Sequence, residues 1–428
     1  MTTEIGILNK SAVVLAADSA VTIYSGVQNA QKVFNTANKL FSLSKFAPVG
    51  IMIFGNASIM GVPWETIIKM YRKQLKNNKF DTLEEYCNDF FAFLNNFNFS
   101  QENKNNIFKN AAIEIAWEIR NCVDKWFIDG KRKRSDNEIN KKIINEIQQA
   151  IKDFSERSKS SKLFPILEDL EKEYIPVLCS TLKTIKSNIL PFPDEYDIQY
   201  SKMVLHAVIA GPPTSSGIVI AGFGEEEIYP SIYCYNLSLV LRKMNNGVKD
   251  SRSHTISDNQ KASIVPFAQS DDICSFIEGL APQLATFFDK VLKEILGNQL
   301  KERFLDELET IASLTKKQKQ IFSEHIGEIC TGAYQEIIKK FREKQRKNYT
   351  QPVIDATGFL NKEELATMAE TLVNLVSFRK QVTIADETVG GPIDVAVITK
   401  GDGMIWIKRK HYFEPTLNQH FFANYNNI

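Results

Sequence analysis

Thr2 stands directly behind the first methionine of a chain of 428 residues. With Met1 removed, this threonine carries a free α-amine beside its own hydroxyl. An unperturbed α-amine titrates at about 7.7–8.0, so it accepts a proton near neutrality without a histidine. A hydroxyl paired with its own terminal amine is one way to activate a weak nucleophile for attack on a carbonyl. Other residues fit the same chemistry. The run "VVLAAD" ends on the carboxylate of Asp18, and "NKLFSL" places Lys39 at the start of the next apolar run. A cation near the amine disfavours its protonated form and keeps it a base. Gly55, closing "VGIMIFG", offers a backbone N–H to a developing oxyanion.

These residues must be positioned by strands. "TTEIGIL" and "SAVVLAAD" are short β-branched runs parted by Asn9-Lys10, and "KLFSLS" and "VGIMIFG" are two more, parted by the turn "KFAP". From "VPWETIIKMYRKQL" the period becomes helical, with a helix start at Asp81-Thr82-Leu83-Glu84. Helical patterning is expected to about residue 190, with Ile143, Ile144, Ile147, Ile151 and Phe154 on one stripe. Strands are expected again at "MVLHAVIAG", "GIVIAGFG" and "IYPSIYCYNL", then a polar loop, "KMNNGVKDSRSHTISDNQ", then the strand "ASIVPFA". Helices resume near Ser270, with Phe287, Phe288, Val291, Leu292 and Ile295 on one face. The helix "NKEELATMAETLVNLVSFRKQ" and the strands "IDVAVIT" and "GMIWIKRK" close the chain. Strand blocks alternating with helix blocks point to antiparallel sheets covered by helices.

Composition narrows the function classes. Lys and Arg number 52 against 51 Asp and Glu, a net charge of +1, which gives no electrostatic case for nucleic acid or an anionic membrane surface. The basic run Lys131–Arg134 lacks interleaved aromatics and reads as a solvated loop. No apolar run approaches a membrane span, and the first residues lack a basic segment followed by an apolar one, so a cytoplasmic location is expected. The six cysteines have no CxxC spacing and are expected to be reduced and buried. The five histidines have no ligand spacing, "GFGEEEIYP" lacks the ending of a phosphate loop, and no cofactor or metal is expected.

The stretches "TTEIGILNKSAVVLAADSAVT", "NKLFSLS" and "VGIMIFGNAS" resemble the start of a proteasome β-subunit or its bacterial relative, the peptidase of a two-component ATP-dependent protease. "GIVIAGFGEEEIYPSIYCYNL" resembles that family's central hairpin, and "DETVGGPIDVAVITKGDG" its acidic Gly-Gly segment and last strands. The resemblance implies an α+β fold, the four-layer αββα sandwich of N-terminal nucleophile hydrolases. The expected organisation is one domain over residues 1–428, with a core near 2–80, 200–285 and 360–410. Two large helical insertions are expected near 80–200 and 285–360.

By the same resemblance Thr2 is the nucleophile, Asp18 orients Lys39, and the Gly55 N–H lies in the oxyanion hole. Lys32, in "AQKVF", is the rival to Lys39. Lys39 is preferred because it begins an apolar strand sixteen residues before Gly55, with extra loop residues between Thr22 and Lys39. Asp386 matches the family's second acid and Ser270 its serine near the nucleophile. Val389 stands where the family usually has a hydroxyl, with Thr388 beside it, and "AQSDD" lacks the usual flanking glycines. In the family's strand register Val21, Ala37, Ile53 and Ala57 line the specificity pocket, which implies an apolar side chain before the cleaved bond. Thr22 would pair with an extended peptide as an added strand. A threonine peptidase is therefore expected, acting on a peptide or protein, homo-oligomeric, with a separate ATPase as a further partner. The alternatives are a non-peptide amidohydrolase on the same fold and a catalytically silent assembly or binding subunit.

Overall fold

In chain order, β1 (Glu4–Asn9) and β2 (Val13–Ala17) form an opening hairpin, β3 (Val21–Tyr24) and β4 (Gln31–Phe34) a second, and β5 (Leu40–Ser42) and β6 (Val49–Gly55) a third. The short pair β7 (Ser58–Ile59) and β8 (Val62–Pro63) leads into α1 (Trp64–Leu75). A helical block follows: α2 (Leu83–Asn95), α3 (Gln101–Ile128), α4 (Asp136–Ser158), α5 (Leu167–Asn188) and α6 (Asp197–Ala210). Next come β9 (Ser216–Gly222), β10 (Ser231–Leu237), β11 (Val240–Leu241), β12 (Met244–Asn245), β13 (Val248–Lys249), β14 (His254–Thr255) and β15 (Ala262–Ala268). The second helical block is α7 (Ser270–Glu278), α8 (Pro282–Glu294), α9 (Leu300–Thr310), α10 (Lys316–Gln345), α11 (Gln351–Phe359) and α12 (Lys362–Val382). Strands β16 (Asp394–Thr399) and β17 (Gly403–Lys408) and helix α13 (Gln419–Asn426) end the chain. This computed structural model describes residues 3–24, 31–128, 135–211, 215–310, 315–382 and 390–426.

The chain is α+β with antiparallel sheets, and it divides into two units. One comprises Met1–Ala37, Ile256–Val397 and Trp406–Ile428, the other Asn38–Thr255 and Ile398–Ile405. In the first, the strand order is β15-β1-β2-β16-β17. Asn9 makes the β1–β2 turn, its Oδ1 accepting the N–H groups of Ser11 at 3.0 Å and Ala12 at 3.2 Å. This is the side-chain mimicry of a backbone turn for which asparagine is favoured. On one face Ile5, Ile7, Val14 and Ala16 pack with Ile273 of α7 and with Leu372, Val373 and Val376 of α12. Both β1 and β2 are buried at every position.

In the second unit the order is β13-β10-β9-β6-β5, with β14 also on β10. The indole N–H of Trp64 donates to Ser216 Oγ at 2.8 Å, tying α1 to the first residue of β9. Thr82 and Glu85 close a capping box on α2, the start read from Asp81 to Glu84. Gly222 pairs with Val49 at φ +144°, and a Cβ there would lie 1.9 Å from the Pro48 carbonyl oxygen. Among the described residues no helix is long and apolar enough to cross a membrane.

Two expectations are corrected. "MVLHAVIAG" is not a strand: it forms the last turns of α6, so the helical block runs on to Ala210. Met203, Val204, Leu205, Ala207, Val208 and Ile209 are all buried, and a helix buried on every side has no periodicity to separate it from a buried strand. The stretch read as a polar loop also holds paired strands, β12, β13 and β14. Each is two residues long, too short for alternation to show.

Gly222→Ala should cost more than about 1 kcal/mol, since no small shift frees a backbone oxygen from that Cβ. Urea unfolding would report it, and an unchanged midpoint would contradict the β6–β9 register.

Candidate active site

The best-defined polar centre in the first unit is the carboxylate of Asp18, on the residue after β2. The register Glu4↔Ala17 sets Asp18 beside Thr3. The Asp18 N–H donates to the Thr3 carbonyl at 3.1 Å, and the Thr3 N–H donates to Asp18 Oδ1 at 3.0 Å. Asp18 Oδ2 accepts from the N–H of Ala20 at 3.4 Å and of Gly390 at 3.1 Å. Asp18 is only 1% exposed, so these bonds replace water that the ion has lost.

The Gly390–Gly391 segment is held there by more than one contact. The Ser19 N–H donates to the Gly390 carbonyl at 3.3 Å, and the Ser19 hydroxyl donates to the Pro392 carbonyl. Gly391 has φ +78°, and a Cβ there would meet the Asn35 side chain at 2.8 Å. Only glycine suits both demands.

Thr3 was not singled out from the sequence. It is completely buried, and its Oγ1 has no hydrogen-bond partner among the described residues. Its adjacency to Thr2 was legible, but its orphaned hydroxyl was not, because burial at a strand end depends on distant chain.

Ser270 opens α7, directly after β15, and Gln269 before it takes a left-handed conformation, φ 47° and ψ 47°. A cavity of about 480 Å³ lies beside Ser270, lined also by Asp271, Asp272, Gln283 and Arg379. Arg379, in the last turn of α12, pairs with Asp272 at 2.5 Å, and Gln283 donates to Asp271 at 3.3 Å. Arg379 and Asp272 were missed by the sequence reading, since they lie 107 positions apart and share no motif.

In the second unit Lys39 is 5% exposed and precedes β5, its carbonyl accepting the Ile53 N–H at 2.9 Å. Gly55 ends β6 at φ +76°, and a Cβ there would stand 2.6 Å from the Ser215 carbonyl oxygen. Lys32 lies in β4, opposite Ile23. The extra residues between Thr22 and Lys39 therefore include a separate hairpin, β3–β4.

Of the expected pocket residues, Val21 and Ala37 are half-buried in the first unit, the Ala37 N–H donating to the Ser19 carbonyl at 3.1 Å. Thr22 pairs with Val33, and its side chain lies outside the described residues. In the second unit Ile53 sits in the apolar core, while Ala57 is exposed. Thr2, Asp386, Thr388 and Val389 lie outside the described residues.

Rival chemistry elsewhere is weaker. Not all six cysteines are buried as expected: Cys122 and Cys179 lie on outward faces of α3 and α5 and are exposed. Burial pushes the thiols of Cys87 and Cys234 up to about 12, which leaves them protonated and unreactive at neutral pH. Ser158 Oγ lies 2.7 Å from His206 Nδ1, but Ser158 is fully buried and its hydroxyl also donates to the Ser155 carbonyl at 2.8 Å. That pair staples α4 to α6. Among the described residues no group of His, Cys, Asp and Glu is placed to hold a metal ion. Compared with known proteins, the chain matches no protein-family model and no curated protein.

Asp18→Asn keeps one oxygen but turns an NH2 donor toward the N–H groups that faced the other. The expected cost is about 1–3 kcal/mol, read as a lower urea midpoint. An equal midpoint would mean that the Asp18 contacts contribute nothing.

Proposed function

We propose that this protein is an N-terminal threonine hydrolase, a peptidase that uses the Thr2 hydroxyl as nucleophile. The observation that carries the reading is the Thr3 N–H bound to the buried Asp18 carboxylate. That N–H belongs to the peptide joining Thr2 to Thr3, so a nucleophile at position 2 is one residue from a fixed point beside an acid. Fixed positioning beside its own amine is what makes a weak hydroxyl an effective nucleophile. The reading requires that Thr2 become the first residue of the working chain.

In the first step the Thr2 hydroxyl attacks an amide carbonyl and its proton passes to the Thr2 α-amine. The tetrahedral oxyanion takes a hydrogen bond from the Gly55 N–H. Its collapse breaks the C–N bond, the leaving amine takes the proton, and an ester to Thr2 remains. Water, deprotonated by the same amine, then hydrolyses the ester and releases the acid. In the roles that the resemblance assigns, Lys39 would supply the positive charge that keeps the amine neutral, and Asp18 would orient that charge. Asp386 and Ser270 take the proton-relay roles that the resemblance assigns them. Val21, Ala37, Ile53 and Ala57 are apolar, which favours an apolar side chain before the cleaved bond.

The αββα sandwich belongs to this proposal. It is supported by the burial of β1 and β2 on both faces, which helices on one side of a sheet do not produce.

Thr2→Ala should lower cleavage of an apolar fluorogenic peptide by at least about 10³-fold while leaving unfolding unchanged. Unaltered turnover would rule the mechanism out. Lys39→Ala should be comparably inactive and Lys32→Ala active, and the reverse would move the cation to Lys32. Intact mass spectrometry of the active protein should show a chain beginning at Thr2. With the α-amine as base, kcat/KM should rise as pH increases through about 7–8, where that amine deprotonates. A flat profile across that range would remove it as the base.

A further inference from the structure

A cavity of about 370 Å³ opens in the first helical block, at the junction of α3, α4 and α6. Its floor is apolar: Ala111 and Ile115 of α3, Phe154 of α4, and Ala207 and Val208 of α6. All of these but Phe154 are nearly or wholly buried. Two of the five are alanines, one on α3 and one on α6, and short side chains on packed helices leave space between them. Hydrogen bonds fix the frame. The Tyr200 hydroxyl donates to the Ala112 carbonyl at 2.7 Å, which ties α6 to α3. The Ser158–His206 pair ties α4 to α6, and just beyond it the Ser161 hydroxyl donates to the Ile209 carbonyl at 2.6 Å. A hollow held in this way exists before anything fills it.

Charges of both signs line the mouth. Glu114 and Glu118 stand one turn apart on α3, and Arg157 stands on α4 with its guanidinium over the Phe154 ring, 5.4 Å from the centroid. All three residues are exposed. Like charges four residues apart on a helix repel. Desolvation, and then the Glu118 charge, push the Glu114 carboxyl above its ordinary value. Although the three border one cavity, none of them forms an ion pair among the described residues. Their separation leaves room for a guest that carries both charges.

The chemistry of that guest follows from the lining. An ammonium between the two carboxylates relieves their repulsion. A carboxylate meets the guanidinium, whose planar fork suits it. The floor takes a hydrocarbon side chain. An α-amino acid carries all three groups on one carbon. Small-molecule sites span about 300–1,000 Å³, and this cavity lies at the small end of that range.

We propose that the α3–α4–α6 cavity binds a free α-amino acid with a bulky apolar side chain, its ammonium at Glu114 and Glu118 and its carboxylate at Arg157. The proposal does not depend on the hydrolase reading. Isothermal titration of the full chain with L-phenylalanine should show one site per chain, with a dissociation constant below about 1 mM. 2-Phenylethylamine lacks the carboxylate and 3-phenylpropionate lacks the ammonium, and each should bind at least about tenfold more weakly. Arg157→Gln, and Glu114→Gln combined with Glu118→Gln, should weaken L-phenylalanine by a similar factor. These positions are exposed, so circular dichroism should be unchanged, and Arg157→Lys should keep part of the affinity. No binding of L-phenylalanine at millimolar concentration would overturn the proposal, as would wild-type affinity in either charge variant. Equal affinity for 2-phenylethylamine would overturn it in favour of a plain organic cation.

Discussion

The constraint on which the first unit depends is the desolvated carboxylate of Asp18. An ion removed from water must recover its hydrogen bonds from the protein or lose its charge. Here the donors include main-chain N–H groups from three separate segments: the start of β1, the residues after β2 and the approach to β16. One side chain therefore sets the end of the first strand against chain 372 residues distant. Because backbone donors have little rotamer freedom, the arrangement is stiff, and stiffness at the start of β1 is what a reactive group there would need.

How much of this was legible follows from the range of the forces involved. Asn9 announced its turn because an Asx turn is closed by neighbours. Thr82 announced a helix because a capping box spans one turn. Asp18 stood out as an acid ending an apolar strand, yet nothing in "VVLAAD" says that Gly390 donates to it, since that partner comes from tertiary folding. Helix α6 was misread for a related reason. "MVLHAVIA" is apolar on every side because neighbouring helices enclose it, and enclosure erases the amphipathic signal. The orphaned Thr3 hydroxyl and the Arg379–Asp272 pair left no local mark either.

The helical blocks show that amphipathic pattern records what a helix covers and not what it covers it with. The stripe of Phe287, Phe288 and Ile295 reads like that of Ile143, Ile147 and Ile151. Ile143 and Ile147 are buried within their own unit, whereas Phe287 and Ile295 are 63% and 44% exposed. Identical periodicity thus served an internal core in one case and an open surface in the other.

The β3–β4 hairpin has a consequence for how this chain tolerates change. The Ala37 N–H meets the Ser19 carbonyl at the foot of the hairpin, and its strands pair from Val21 opposite Phe34 to Tyr24 opposite Gln31. Doubling the length of a closed loop costs only about 0.6 kcal/mol. Residues added between Tyr24 and Gln31 would leave Asp18 and Lys39 undisturbed. It is a natural graft point, where a reporter peptide or a binding epitope can be carried without moving Asp18 or Lys39.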